Sequence, residues 1–296
     1  MAFAWLNEDM KSLRRDFLPP QLERCIRSNG MDGTVAVQAR QSEEETQFLL
    51  DLAEQYPNVI KGVVGWVDLR AENIDERLAF FAQNPKLKGV RHIVQDEPDD
   101  AFLLREDFLR GIRLLKKYNL TYDILIYPKH LAVAKKFVEM FPDQPFVIDH
   151  IAKPFIKDHI IGDWEKGIRD LAAFPNVYVK VSGMVTEGNW KNWTEADFTP
   201  YLDIIFDAFG PDRVMIGSDW PMMTLCGEYG QVIDIVRHYI QRFPPSDQAK
   251  ILGENAVRFY HLCLVCDLNC HGFTASLSFS FIRFILSTYS HQSPLP

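Results

Sequence analysis

Few cysteines, no basic block and no long apolar run mark this 296-residue sequence. Of its five cysteines, Cys25 and Cys226 are isolated and the other three crowd residues 263–270. That is no disulfide framework, and it points to a reducing, cytoplasmic setting. The formal net charge is −8, and no Lys/Arg cluster offsets it. Such a surface excludes a nucleic-acid partner, whose phosphates require a basic face. The N-terminal "MAFAWLNEDM" lacks a basic region followed by an apolar stretch, so it does not read as a secretory signal. The sequons at Asn119 and Asn192 then read as chance matches. The apolar "FIRFIL" is short and broken by Arg283, too little to span a bilayer. A small-molecule enzyme fits these absences.

Apolar residues are 47% of the chain and charged residues 24%, enough for a large core under a polar surface. Seven β-rich runs recur: "GTVAVQA" (33–39), "IKGVVGWVDL" (60–69), "LKGVRHIV" (87–94), "TYDILIY" (121–127), "FVIDHIA" (146–152), "VYVKVSG" (177–183) and "RVMIGSDW" (213–220). Most are nearly continuous apolar stretches, as parallel strands covered on both faces require. Helix-like segments alternate with them. In residues 42–56, Phe48, Leu49, Leu52 and Ala53 recur at helical spacing behind an acidic first turn. Residues 130–141 form another, stopped by Pro142. Repeated βα units predict a parallel α/β fold, either a barrel one strand short of eight or an open seven-stranded sheet. Residues 1–262 form one domain. The tail, 263–296, loses the pattern and is expected to be poorly ordered, with a period-2 alternation at 276–281.

In a parallel barrel, residues at the C-terminal ends of strands surround one cavity. The polar candidates there are Gln38, Trp66, Asp68, Arg91, His92, Tyr127, Asp149, His150, Lys153, Lys180, Ser182, Asp219 and Trp220. Each has a bland reading. His150 suits a core histidine held by Asp149. Arg91, costly to bury alone, pairs either with a structural carboxylate or with a substrate. Lys153 precedes Pro154 and reads equally as a solvated turn residue. Lys180 points into the barrel or snorkels outward, and Trp66 and Trp220 suit packing alone. Asp219 caps a following helix or serves an active site.

Taken in order, "GVRH" (89–92), "DHIAKP" (149–154), "VKVSG" (179–183) and "IGSDWP" (216–221) resemble the amidohydrolase-related proteins of the lactonase branch, which includes fuconolactonases and 2-pyrone-4,6-dicarboxylate lactonase. The resemblance covers roughly residues 5–261, with "ILGENAVRFYHL" (251–262) similar to the family's terminal helix. It implies a (β/α)8 barrel that hydrolyses a sugar lactone or related cyclic ester. By matching position, Asp219 is the general base. His150, Arg91 and Lys153 handle the carbonyl and carboxylate, and Gln38, Trp66, His92, Tyr127, Lys180 and Trp220 bind or shape the substrate.

Two departures qualify this. Family members begin with a strand carrying His-x-His; this chain has no such pair and its first histidine is His92. The first strand therefore reads as absent, which would leave the neighbouring strand edges unpaired and open the core. The atypical tail adds to this, and together the two ends suggest an alternative start and last exon. Without His-x-His no cofactor is required by this reading; if a divalent metal such as zinc binds, His150 and Asp219 are its ligands. Cys263, Cys266, Cys270 and His271 resemble a zinc knuckle, but the ligand pairs are too close and the match reads as chance. The rival readings are a metal-dependent decarboxylase of the same superfamily and a catalytically inert truncated chain.

Overall fold

The computed structural model describes residues 7–262 and 284–288. All seven expected strands are present: β1 (Gly33–Val37), β2 (Ile60–Gly65), β3 (Leu87–Ile93), β4 (Thr121–Leu125), β5 (Phe146–Ile148), β6 (Val177–Val181) and β7 (Val214–Ile216). They pair in sequence order and in parallel throughout. Most end before their polar tail, where the residues after the apolar run turn into loops at the cavity, while β3 keeps Arg91 and His92 within the strand. Between strands run α1 (Pro19–Ser28), α2 (Glu43–Gln55), α3 (Ile74–Phe81), α4 (Glu106–Leu115), α5 (Leu131–Glu139), α6 (Gly162–Ala172), α7 (Met184–Glu187), α8 (Glu195–Phe209) and α9 (Tyr229–Ile240). Among the described residues no helix is long and apolar enough to cross a membrane.

The α2 segment shows how locally the sequence dictates this. The Ser42 side chain accepts the Glu45 N–H, which caps the helix, and Glu43–Glu45 complement its dipole. Its apolar face, including Leu49, Leu50 and Ala53, is buried against the sheet. Both faces of the sheet are covered. Outside, one large apolar cluster joins strands to helices. Inside, Val35, Val37, Val64, Val147 and Met215 meet, and the terminal helix closes them from below with Ala256, Phe259 and Tyr260.

An eighth strand comes from the tail. Residues Phe284–Thr288 (β8) pair in parallel with β1, in register from Gly33↔Phe284 to Val37↔Thr288. The β1 edge, expected to lie unpaired, thus carries a full backbone ladder, which removes the hydrogen-bonding liability of an open edge. The strand falls within the apolar "FIRFIL" run and just beyond it. The alternation at 276–281, the cysteine cluster and the rest of the tail lie outside the described residues.

Candidate functional site

Most of the polar residues expected around one cavity fall into two sets. The first fills the barrel interior, where side chains alternate inward along the strands. Lys180 on β6 points inward, where it pairs with Asp123 of β4 and, at 2.6 Å, with Asp149 just past β5. Arg91 on β3 reaches Asp149 at 2.8 Å and bonds both the backbone and side-chain oxygens of Gln38. From the floor, the Tyr260 hydroxyl donates to Asp123 at 2.9 Å. All six side chains are buried. Burial alone would raise Asp149, yet Lys180 and Arg91 hold its carboxyl well below the usual range. For Asp123 burial wins over Lys180 and raises it.

The second set faces a cavity of about 330 Å³ at the C-terminal ends of the strands, a size suited to a small ring. Asp219, His150, Lys153, Tyr127 and Arg91 line it, with Met10, Leu13 and Met222 among its apolar walls. Asp219 follows β7 with φ 56, a left-handed conformation that Asp tolerates better than bulkier residues. Its backbone carbonyl accepts the Met223 N–H, and the residue lines the cavity. Burial, aided by Glu187 and Asp149 and opposed by Lys153 and Arg91, pushes this carboxyl up to about 7.

His150 and Lys153 sit on an unusual support. His150, Ile151, Ala152 and Lys153 all have positive φ, 51, 48, 57 and 50°. Each non-glycine residue held there costs on the order of 1–3 kcal/mol, so surrounding structure must enforce the turn. The Lys153 N–H donates to the His150 carbonyl at 2.8 Å, and the Trp164 indole donates to the Ile151 carbonyl at 2.7 Å. Gly183 completes the fit: at φ 64 its missing Cβ would lie 2.8 Å from the His150 ring. His150 Nδ1 lies 2.9 Å from Ser182 Oγ, and Nε2 lies 3.7 Å from Asp219. Burial drives this imidazole down to about 3, which keeps it neutral.

Several expected substrate contacts stand elsewhere. Gln38 and Lys180 belong to the interior network and do not line the cavity. Lys180 is consumed by two carboxylates, which explains its inward direction. His92 is buried, stacked on Phe102 at 4.5 Å, and its nitrogens meet Trp66 Nε1 at 3.3 Å and Glu97 at 2.6 Å. This pair lies behind the cavity wall. Trp220 packs edge-on against Phe17 at 5.4 Å and is likewise outside the lining. Sequence reasoning missed Glu187, Thr186, Trp190, Gln95 and Asp96, all of which line the cavity. The signal for Glu187 was its place four residues past Gly183 at the end of a strand.

The amidohydrolase family profile matches residues 9–262. L-fucono-1,5-lactonase from Burkholderia multivorans is 36% identical over 271 residues, 88% of this chain and 91% of that protein. The L-fucono-1,5-lactonase from Burkholderia ambifaria is 34% identical over 87% of this chain and 90% of its own length. The crystal structure of an amidohydrolase from Burkholderia multivorans with bound zinc, 36% identical, superposes with a TM-score of 0.85 over 88% of this chain and 93% of that one. The described residues of this chain do not complete a zinc site. Among them no three His, Cys, Asp or Glu side chains converge, and His150 with Asp219 supplies two donors where a catalytic zinc takes three.

Proposed function

The chain belongs to the amidohydrolase family, and on that premise we propose that it opens a sugar lactone or related cyclic ester by attack of water activated at Asp219. The observation that carries this reading is the Asp219 carboxylate. It is desolvated, raised to about 7, and faces a small cavity next to a neutral imidazole and an ammonium. A general base works best when its pKa lies near the operating pH.

In this reading Asp219 takes a proton from water as the water oxygen bonds to the lactone carbonyl carbon. The carbonyl oxygen gains the electron pair, and the Lys153 ammonium stabilises the oxyanion that forms. Ser182 Oγ at Nδ1 fixes the ring so that His150 turns its Nε2 edge toward Asp219 and the reacting centre. Arg91 has four of its five N–H groups committed to Asp149 and Gln38, so it acts chiefly as a fixed positive charge rather than a bidentate substrate clamp. Collapse breaks the ring C–O bond, and protonated Asp219 returns its proton to the leaving alkoxide. The product is an open hydroxy acid.

The test is a panel of five- and six-membered sugar lactones, followed with a pH indicator, on the wild-type chain and Asp219→Asn. Hydrolysis by the former and its loss in the latter is the expected result. Undiminished turnover in Asp219→Asn removes that carboxylate from the role.

A further inference from the structure

Within the cavity wall, the Glu187 carboxylate is not used by the chemistry above. Glu187 ends α7, directly after β6, and lines the cavity with its side chain 24% exposed. Its nearest cation, Lys153 Nζ, is 3.9 Å away, beyond hydrogen-bond range. Among the described residues its carboxylate takes no hydrogen bond at all. Burial raises its pKa, with Lys153 opposing. A half-buried acceptor left open toward a cavity needs donors from the occupant.

Its neighbours give the occupant's chemistry. Trp190, three residues on, lines the same cavity and has its indole N–H already spent on the Thr186 carbonyl at 2.8 Å. What the indole offers is therefore its ring face. Gln95, after β3, lines the same cavity, though its Oε1 is itself buried and out of an occupant's reach. A carboxylate with two acceptor oxygens and no donors, beside an indole, matches a ring that carries several hydroxyls on one edge and C–H bonds on the other. An acyl ring without hydroxyls leaves that carboxylate unpaired.

We propose that Glu187 is a specificity-determining residue that accepts hydrogen bonds from the ring hydroxyls of the substrate, with Trp190 as the platform for the ring's C–H face. The inference rests on the lactonase reading and narrows it to polyhydroxylated rings. A site built to hydrogen-bond hydroxyls discriminates strongly against an analogue that lacks them.

The experiment compares kcat/KM for a six-membered aldonolactone with that for δ-valerolactone, the same ring without hydroxyls. In Glu187→Ala the ratio of the two falls roughly 10- to 100-fold, and Glu187→Gln, which keeps an acceptor oxygen, recovers part of it. A ratio within about 2-fold of wild type overturns the proposal. A second arm separates it from the reaction. Binding of a 1,5-anhydrohexitol, which has the ring and hydroxyls but no ester, is titrated by NMR against the wild type and both variants. If neither lactone is hydrolysed yet the polyol binds about 10-fold more weakly to Glu187→Ala, the lactonase reading fails and the role of Glu187 stands. Equal affinity for all three proteins overturns it.

Discussion

The barrel interior and the barrel mouth hold the same kinds of side chain in opposite states. Below, Lys180, Arg91, Asp123 and Asp149 are matched cation for anion, with Gln38 and Tyr260 taking up remaining bonds. Above, Asp219 is 3.7 Å from His150 and Lys153 is 3.9 Å from Glu187, all too far apart to satisfy each other. Saturated charges hold a structure together, because removing one strands its partner in a dry core. Unsaturated charges are what a substrate meets. The two regions are separated by little more than the Arg91–Asp149 pair, which belongs to the first and lends its charge to the second.

Four changes would break or sharpen that contrast. Asp219→Asn carries the largest expected effect: a fall of roughly 10²- to 10⁴-fold in lactone kcat/KM, measured by steady-state kinetics. Its stability should not fall at pH 8. An acid whose folded pKa of about 7 lies above its unfolded value is stabler protonated, so its contribution is present at low pH and lost as pH rises through 7. Asparagine removes that penalty, and a lowered Tm at pH 8 would place Asp219 with the structural set instead. Lys180→Ala should do the reverse. It leaves Asp123 and Asp149 buried without their shared cation and costs about 3–5 kcal/mol in urea unfolding. An unchanged unfolding midpoint would show the interior pairs to be dispensable.

Gly183→Ala tests the seam between the regions. The added methyl meets the His150 ring at 2.8 Å and forces a non-glycine residue to φ 64. We expect about 1–2 kcal/mol of destabilisation and roughly a 10-fold loss of kcat, since His150 must move. Loss of stability with kcat intact would remove His150 from the reaction. The smallest effect is a titration. Asp219, faced by Lys153, Arg91, Glu187, Asp149 and His150, is active as a base when deprotonated, so kcat/KM should rise with pH about a midpoint near 7. A rise complete by pH 5 would mean an ordinary exposed carboxylate.

Much of this was legible before the structure. The seven strands announce themselves because strands buried on both faces have to be apolar at nearly every position, and "VVG", "FVI" and "VMI" are. Asp219, His150, Lys153 and Tyr127 were legible too, because polar residues just past such runs collect at one end of a parallel sheet. What was not legible is which polar residues would consume each other. Lys180 and Arg91 look like substrate groups in a strand, but their partners lie one or two strands away in space, and Tyr260 is 137 residues from Asp123. No local spacing encodes such a meeting.

Sequence alone determined the parallel β/α order, the family resemblance and the carboxylate at the end of the seventh strand, since periodicity and short motifs are local properties. Tertiary structure decided the rest. Curling the sheet brings β3, β4, β5 and β6 within reach of one another, and that sorts the charges into a saturated interior and an open mouth. It also bends residues 150–153 into a left-handed turn against Trp164 and Gly183. Finally it sets residues 284–288 beside β1, because an edge ladder takes its bonds from whatever backbone the fold presents, whatever its distance along the chain.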